Sequence, residues 1–135
     1  MELKEYFRSR KGLGVLSTAD DKGKVDSAVY ARPKVVEDGR VAFIMSDRLS
    51  LSNVRKNPHA AYLFKENGEG WTGVRLFLEY ESETREDADV AAACREEYPG
   101  PYCGEKYLKG ASLVTFRVVS VLPLVGDGTG KKQYE

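Results

Sequence analysis

The residues best suited to chemistry lie where an apolar segment ends at Ser46-Asp47 and a helical pattern begins. Ser and Asp are favoured helix N-caps, and Pro58 ends the pattern about three turns later. A helix that starts directly after a strand presents unpaired N–H groups and the positive end of its dipole. Arg48 and Ser50 lie beside them, so the segment favours a phosphate-binding site. An ordinary capped connector is the alternative, and this segment alone does not decide between them.

A second polar cluster lies on the predicted strand at residues 25–36. Tyr30, Arg32 and Lys34 alternate along it and share one side by the two-residue period of a strand. Two cations and a tyrosine beside a phosphate-competent helix suit a flat aromatic ligand with a phosphate tail. The alternative is a solvent-facing edge, and Pro33 indicates an edge or a bulge because it cannot donate to a ladder.

The sequence offers no hydrolytic or metal-binding constellation. His59 is the only histidine, which excludes a metal site built on paired imidazoles, and GxSxG, HExxH and a GxGxxG after a strand are all missing. Cys94 and Cys103 are separated by nine positions without a CxxC motif. In a reducing cytoplasm we expect two free thiols here.

Composition limits the remaining classes. The 135 residues carry 21 basic and 21 acidic side chains, so no basic surface favours nucleic acid as a partner. No segment approaches the roughly 20 apolar residues that cross a bilayer, and residues 1–8 lack the apolar core of a signal peptide. We therefore expect a cytoplasmic protein with one domain at residues 1–126 and a flexible tail at 127–135.

The order of elements predicts a mainly β protein. Three short helices are expected at residues 3–10, near 47–57 and at 86–97, and the strands are expected at 15–19, 25–36, 41–45, 60–64, 72–84 and 112–122. The connections between the first three strands are too short for parallel crossovers, so the sheet is antiparallel there. Six antiparallel strands with helices at the ends predict a small closed or partly open barrel.

The strand at residues 72–84 alternates most clearly. Its apolar residues occupy both faces, with Leu76 and Leu78 on one side and Phe77 on the other, and its carboxylates at 79, 81 and 83 are expected on a solvated face. One small barrel cannot bury both faces, which predicts a homodimer whose interface includes residues 71–80.

This order of elements resembles the pyridoxamine 5′-phosphate oxidase-like, FMN-binding split-barrel family. The resemblance rests on the strand pair 25–36 and 41–45, the helix segment 47–58 with its Asn-Pro end, and the strand 59–64. It covers roughly residues 10–125. It depends on the order of the elements and the spacing between them, taken together. It implies a split barrel that binds two FMN molecules at a homodimer interface.

Carried over by position, the resemblance also implies a set of cofactor-binding residues. The isoalloxazine ring would lie along Tyr30, Ala31 and Arg32, with Lys34 near the ring or ribityl oxygens. Ile44, Met45, Ser46 and Asp47 would hold the ribityl chain, and Arg48 and Ser50 the phosphate. The strand 71–77 of a second subunit, with Trp71 and Arg75, would close the site.

Two departures limit the function that the resemblance implies. Leu49 and Ser50 stand where the oxidases of the family have an Arg-Lys pair, which leaves the charge to Arg48. The chain also lacks the terminal segment with which those oxidases grip pyridoxine phosphate, so vitamin B6 oxidation is not expected. The expected function is an FMN-dependent oxidoreductase with an unidentified electron donor and acceptor. The alternatives are a binding protein without turnover, for FMN or another planar cofactor such as haem, and a deazaflavin-dependent reductase.

Overall fold

The fold was taken from a computed structural model, which describes residues 2–37, 39–98, 103 and 108–126. The tail predicted at residues 127–135 and most of the loop between α3 and β7 lie outside these residues. Within the described ranges, none of the helices has the length and apolar character needed to span a bilayer.

One antiparallel sheet forms the body of the protein. In the part of the chain that the structure describes, three helices and seven strands follow each other as α1 (Leu3–Ser9), β1 (Gly12–Ala19), β2 (Val25–Val29), β3 (Lys34–Glu37), β4 (Arg40–Met45), α2 (Leu49–Lys56), β5 (His59–Glu66), β6 (Gly73–Thr84), α3 (Asp87–Glu97) and β7 (Ser112–Pro123). The strands are ordered β2-β1-β5-β6-β7-β4-β3, and every pairing is antiparallel. The mainly β, antiparallel prediction is confirmed.

The predicted number of six strands is wrong, because the single strand expected at residues 25–36 is two strands. β2 and β3 lie at opposite edges of the sheet, and residues 30–33, here called the crossover segment, run between them. Pro33 cannot donate to a ladder, which ends pairing there. No ladder joins β2 to β3, so hydrogen bonding does not close the sheet into a barrel.

Two hydrogen bonds hold the start of the crossover segment. The N–H of Tyr30 donates to the carbonyl of Gly14 over 3.0 Å, and the hydroxyl of Tyr62 donates to the carbonyl of Tyr30 over 3.1 Å. A Cβ on Gly14 would lie 2.5 Å from that Tyr30 oxygen, so only glycine fits at this position. The backbone of Tyr30 is therefore held between β1 and β5.

Aromatic side chains fill the inner face of the sheet. Phe7 of α1, Phe43, Tyr62, Phe64 and Phe116 are all buried, and their rings meet mainly edge to face. Edge-to-face contacts between aromatic rings stabilise a fold beyond the contribution of their buried area. This cluster joins the two halves of the sheet across its interior.

The alternation predicted in β6 holds through Leu76 and Leu78, which are buried, while Phe77 between them is 37% exposed. The carboxylates of β6 are not simply solvated, because each one binds an arginine: Glu79 with Arg117, Glu81 with Arg40, and Glu83 with Arg55. The bulge between Tyr80 and Ser82 changes the alternation, so the Tyr80 hydroxyl donates to Glu83 over 3.2 Å.

The expectation of two free thiols is wrong. Cys94, in the last turns of α3, and Cys103 form a disulfide with their Cα atoms 5.6 Å apart. That separation is typical of disulfides. The expectation followed from the cellular compartment, whereas the pairing follows from where α3 places Cys94.

Candidate functional site

A pocket of about 440 Å³ lies where β2, the end of β4 and the start of α2 meet. We call it the β2–α2 pocket. Five of the predicted site residues line it, together with four others: Tyr30, Ile44, Ser46, Arg48 and Ser50, with Asp26, Ala28, Val29 and Leu49. Its volume is in the range typical of small-molecule sites.

Helix α2 begins at Leu49, two residues later than the predicted start at Asp47. Arg48 occupies the N-cap position and makes no side-chain capping bond. The helix begins later because the N–H of Arg48 donates to the carbonyl of Ser46 over 2.8 Å, so the chain makes one more turn before the helix begins.

The first turn of α2 consequently offers free donors. The first bond of the helix runs from the N–H of Ser52 to the carbonyl of Arg48. The N–H groups of Leu49, Ser50 and Leu51 therefore have no acceptor within the helix. Since the helix dipole is positive at this end, an anion is the ligand that these groups favour.

Ser50 and Tyr30 connect the helix start to the wall of the pocket. Ser50 is only 5% exposed, and both Ser50 and Tyr30 line the pocket. Burial raises the pKa of Tyr30, the neighbouring Ser50 hydroxyl lowers it, and the charge of Asp26 raises it further. Tyr30 is therefore a neutral phenol near pH 7, which suits a hydrogen-bond donor and not a base.

A buried contact fixes α2 against the sheet. Asn53 donates through Nδ2 to the hydroxyl of Thr18 on β1 over 3.0 Å, and both side chains are buried. Satisfied polar pairs of this kind fix the orientation of packed elements. The first turn of α2 is thereby held in a set position above the pocket.

The two cations predicted along the ring do not line the pocket. Arg32 donates to the backbone carbonyls of Phe7 over 3.1 Å and Glu97 over 3.5 Å, and Lys34 forms an ion pair with Glu96. The period-two argument fails here because residues 30–33 are not strand. These side chains bind α1 and α3, and their role at a cofactor stays a prediction.

Three further predicted residues lie near the pocket without lining it. Ala31 is exposed in the crossover segment, and Met45 is fully buried in the core. Asp47 is exposed and lies 3.8 Å from the guanidinium of Arg55, which ties the β4–α2 connection to the far end of the helix.

Trp71 and Arg75 lie elsewhere on the same subunit. Trp71 is 74% exposed, with Nζ of Lys65 5.5 Å from its ring centroid. Arg75 donates to the carbonyls of Pro123 and Gly126, which fastens the end of β7 to β6. The prediction assigns both residues to the partner's site, which one chain does not test.

Sequence reasoning missed Asp26 and Ala28. Both alternate with Tyr30 along β2, so the period-two rule places all three on the inner side. The two-residue period that predicts Tyr30, Arg32 and Lys34 on one side of the strand also extends back to Ala28 and Asp26, so the signal is present in the sequence.

Solved structures with this architecture include several cofactor-binding proteins. An FMN-binding protein from Syntrophomonas wolfei subsp. wolfei superposes with a TM-score of 0.73 at 17% identity, covering 93% of this chain and 85% of its own. An F420 reductase has a TM-score of 0.70 at 14% identity, with 90% and 97% covered. HutZ, the heme storage protein from Vibrio cholerae, has a TM-score of 0.64 at 16% identity, with 91% and 95% covered.

The chain has the split-barrel fold. The predicted resemblance to the pyridoxamine 5′-phosphate oxidase-like proteins is confirmed at the level of the fold, since the solved structures of similar shape include proteins of this kind. The sequence matches no family model and no curated protein. The names of these three proteins refer to three different cofactors: FMN, F420 and heme. The fold alone therefore does not determine the ligand.

Proposed function

We propose that this protein binds FMN non-covalently in the β2–α2 pocket, with the phosphate at the first turn of α2, and acts as an oxidoreductase. One observation carries the proposal: the uncapped helix start, Arg48 and the buried hydroxyl of Ser50 all face one pocket. A phosphate monoester is the group that uses all three at once.

The donors and acceptors of the pocket fit both the phosphate and the ribityl chain of FMN. Arg48 binds the phosphate through its guanidinium, and the N–H groups of residues 49–51 bind its remaining oxygens. Asp26 accepts hydrogen bonds from ribityl hydroxyls, and the phenol of Tyr30 donates. The bound flavin would supply the redox chemistry, and these residues would bind and orient it, with Tyr30 as a neutral phenol near pH 7.

Haem is the weaker alternative ligand. His59, the single histidine, starts β5 on the outer face of the sheet, in register with Glu79. The inward residues of β5 begin with the next position, Ala60, which is buried. His59, the only imidazole of the chain, is not among the residues that line the pocket, so within one subunit the pocket has no histidine lining it. A deazaflavin stays open, because it also carries a phosphate.

A second copy of the chain completes the proposal. Val29, Val15 and Leu63 are neighbours across three strands on the outer face, and Phe77 lies on the next strand opposite Ala61. Val29, Leu63 and Phe77 are all exposed in the single chain. We propose that this face forms a homodimer that brings the exposed Trp71 of each subunit to the partner's flavin. A cytoplasmic location is also part of the proposal.

Ligand titration tests the proposal. Quenching of flavin fluorescence should show FMN binding more tightly than riboflavin by about ten- to a hundredfold, since the phosphate contact contributes about 1.5–3 kcal/mol. Haem and F420, titrated by absorbance on the same preparation, should bind more weakly than FMN. Equal binding of FMN and riboflavin would contradict the phosphate site, and tighter binding of haem or F420 would replace FMN as the ligand.

A further inference from the structure

A second cleft, of about 520 Å³, lies beside α3 and is lined in part by Cys103 of the disulfide. We call it the α3 cleft. Its described lining residues come from α3 and from the chain before β7: Asp87, Ala88, Val90, Ala91, Arg95, Cys103, Leu108 and Lys109. Nothing in the proposed flavin site uses this cleft.

The disulfide meets the cleft through one sulfur-bearing residue. Cys103 lines the cleft, whereas Cys94 is not among the described lining residues. Each cysteine is only 5% exposed overall. A molecule small enough to enter the cleft therefore reaches the disulfide from the Cys103 side.

The charge of the cleft selects the kind of molecule. Among the described lining residues, Arg95 and Lys109 are two cations against one carboxylate, Asp87, and Val90 and Leu108 provide apolar surface. A cleft of one predominant sign concentrates ligands of the opposite sign. It therefore favours a small thiol that carries a carboxylate.

We propose that the α3 cleft is a thiol–disulfide exchange site at which a small anionic thiol opens the Cys94–Cys103 bond. The thiolate attacks Sγ of Cys103, the Cys94–Cys103 bond breaks, and Cys94 leaves as a thiolate that takes a proton from solvent. A second thiolate attacks the outer sulfur of the mixed disulfide and releases Cys103. Two thiols are oxidised to their disulfide, and the two electrons reduce the protein disulfide.

The contacts of α3 give this reaction a structural consequence. Just after Cys94, Glu96 pairs with Lys34, the carbonyl of Glu97 accepts from Arg32, and the hydroxyl of Tyr98 donates to the carbonyl of Arg32. The disulfide fixes the end of α3 that makes these contacts. Opening it loosens the hold of α3 on the crossover segment, which begins at Tyr30 in the β2–α2 pocket.

A disulfide that borders a cleft through Cys103 suits exchange with small thiols in a reducing compartment. Disulfides there are mostly transient, and they act in catalysis or in redox sensing. Sγ of Cys103 lies 3.3 Å from the carbonyl oxygen of Tyr98, so the reduced thiol has an acceptor in place for its hydrogen. The reduced form is thereby provided with a hydrogen bond that the disulfide cannot make.

The site of attack is the direct test. The purified, ligand-free protein is treated with limiting 3-mercaptopropionate, quenched with N-ethylmaleimide and mapped by peptide mass spectrometry. The expected product carries 3-mercaptopropionate on Cys103 and maleimide on Cys94. The opposite assignment, an equal mixture of the two products, or exchange only under conditions that unfold the protein overturns the proposal.

Charge is tested by comparing two thiols. 3-Mercaptopropionate should react faster, per thiolate, than the cationic cysteamine by about tenfold at low ionic strength. In Arg95→Gln/Lys109→Gln this preference should disappear, whereas Lys22→Gln, which removes a cation from the exposed β1–β2 turn, should keep it. An unchanged preference in the double variant shows that the cleft does not select the thiol and overturns the proposal.

The structural consequence has its own readout. Hydrogen exchange of backbone amides in residues 30–34 and 87–98 should accelerate in Cys94→Ser/Cys103→Ser and in the reduced wild type, relative to the oxidised protein. Exchange in the β5–β6 ladder serves as the internal control. Unchanged exchange in residues 30–34 would remove the link between the disulfide and the crossover segment. Because no flavin is present, this result does not depend on the proposed function.

Discussion

Tyr62→Phe tests how the protein holds the wall of its pocket. The ring of Tyr62 is fully buried against Phe43, at 5.0 Å between centroids, so phenylalanine keeps this packing. The substitution removes only the hydroxyl, which donates to the carbonyl of Tyr30 over 3.1 Å. Burial raises the pKa of Tyr62 well above its ordinary value, so this donor is present at every pH of interest.

The expected loss follows from that one bond. A hydrogen bond of this kind contributes about 0.5–1.5 kcal/mol, so the free energy of unfolding should fall by about 1 kcal/mol and Tm by about 3–5 °C. The backbone of Tyr30 keeps its bond to Gly14. FMN binding should therefore weaken by no more than about fivefold, the factor that 1 kcal/mol represents. Urea unfolding and FMN titration measure the two effects.

Tyr6→Phe is the matched control. The hydroxyl of Tyr6 donates to Glu66 over 2.6 Å, at the opposite end of β5 from the helix α2. Its removal should lower stability while leaving FMN affinity unchanged. A Tyr62→Phe protein as stable as the wild type, or an equal loss of FMN affinity in both variants, would refute the account of the pocket wall.

The other predictions concern packing, pH and assembly. Gly14→Ala should cost about 2–4 kcal/mol in urea unfolding, because its Cβ would lie 2.5 Å from the Tyr30 carbonyl; full stability would show that the backbone can move apart. Burial, reinforced by a neighbouring carboxylate, raises the pKa of Tyr98 to about 12, so the folded chain keeps a proton that the unfolded chain loses near 10. Stability should therefore be complete below pH 10 and fall as pH rises towards 12, less so in Tyr98→Phe; equal profiles would contradict the burial. Phe77→Glu should sediment as a monomer at tens of micromolar where the wild type is a dimer, and a dimeric variant would exclude this face.

The antiparallel sheet was predictable from local signals. Short turns with Gly23 and Gly39, both of which adopt positive φ, fix the β1–β2 and β3–β4 hairpins, and alternation marks β6. The split of the long second strand was not predictable with the same rules. Pro33 signalled an irregularity, but the positions of β2 and β3 at opposite edges depend on bonds from Tyr62 and Gly14, far away in sequence.

The candidate site shows the same division. The helix start could be predicted from the sequence to within two residues, but Arg48 occupies the N-cap position instead of Ser46 or Asp47. Arg32 and Lys34 do not line the pocket because they bind α1 and α3, contacts that no local pattern reveals, and their role at a cofactor stays a prediction. The Cys94–Cys103 bond was missed for the same reason, since it depends on the packing of α3.

The most direct test of the central claim is a thermodynamic cycle of two ligands and two proteins. FMN and riboflavin are titrated into the wild type and Arg48→Ala, with Lys56→Ala removing a cation from the far end of the same helix as control. Arg48→Ala should weaken FMN by about ten- to a hundredfold and leave riboflavin unchanged, because only FMN carries the phosphate. The control should bind both ligands as the wild type does. A loss of the same factor for both ligands, or no loss for FMN, would show that the phosphate is not bound at the first turn of α2.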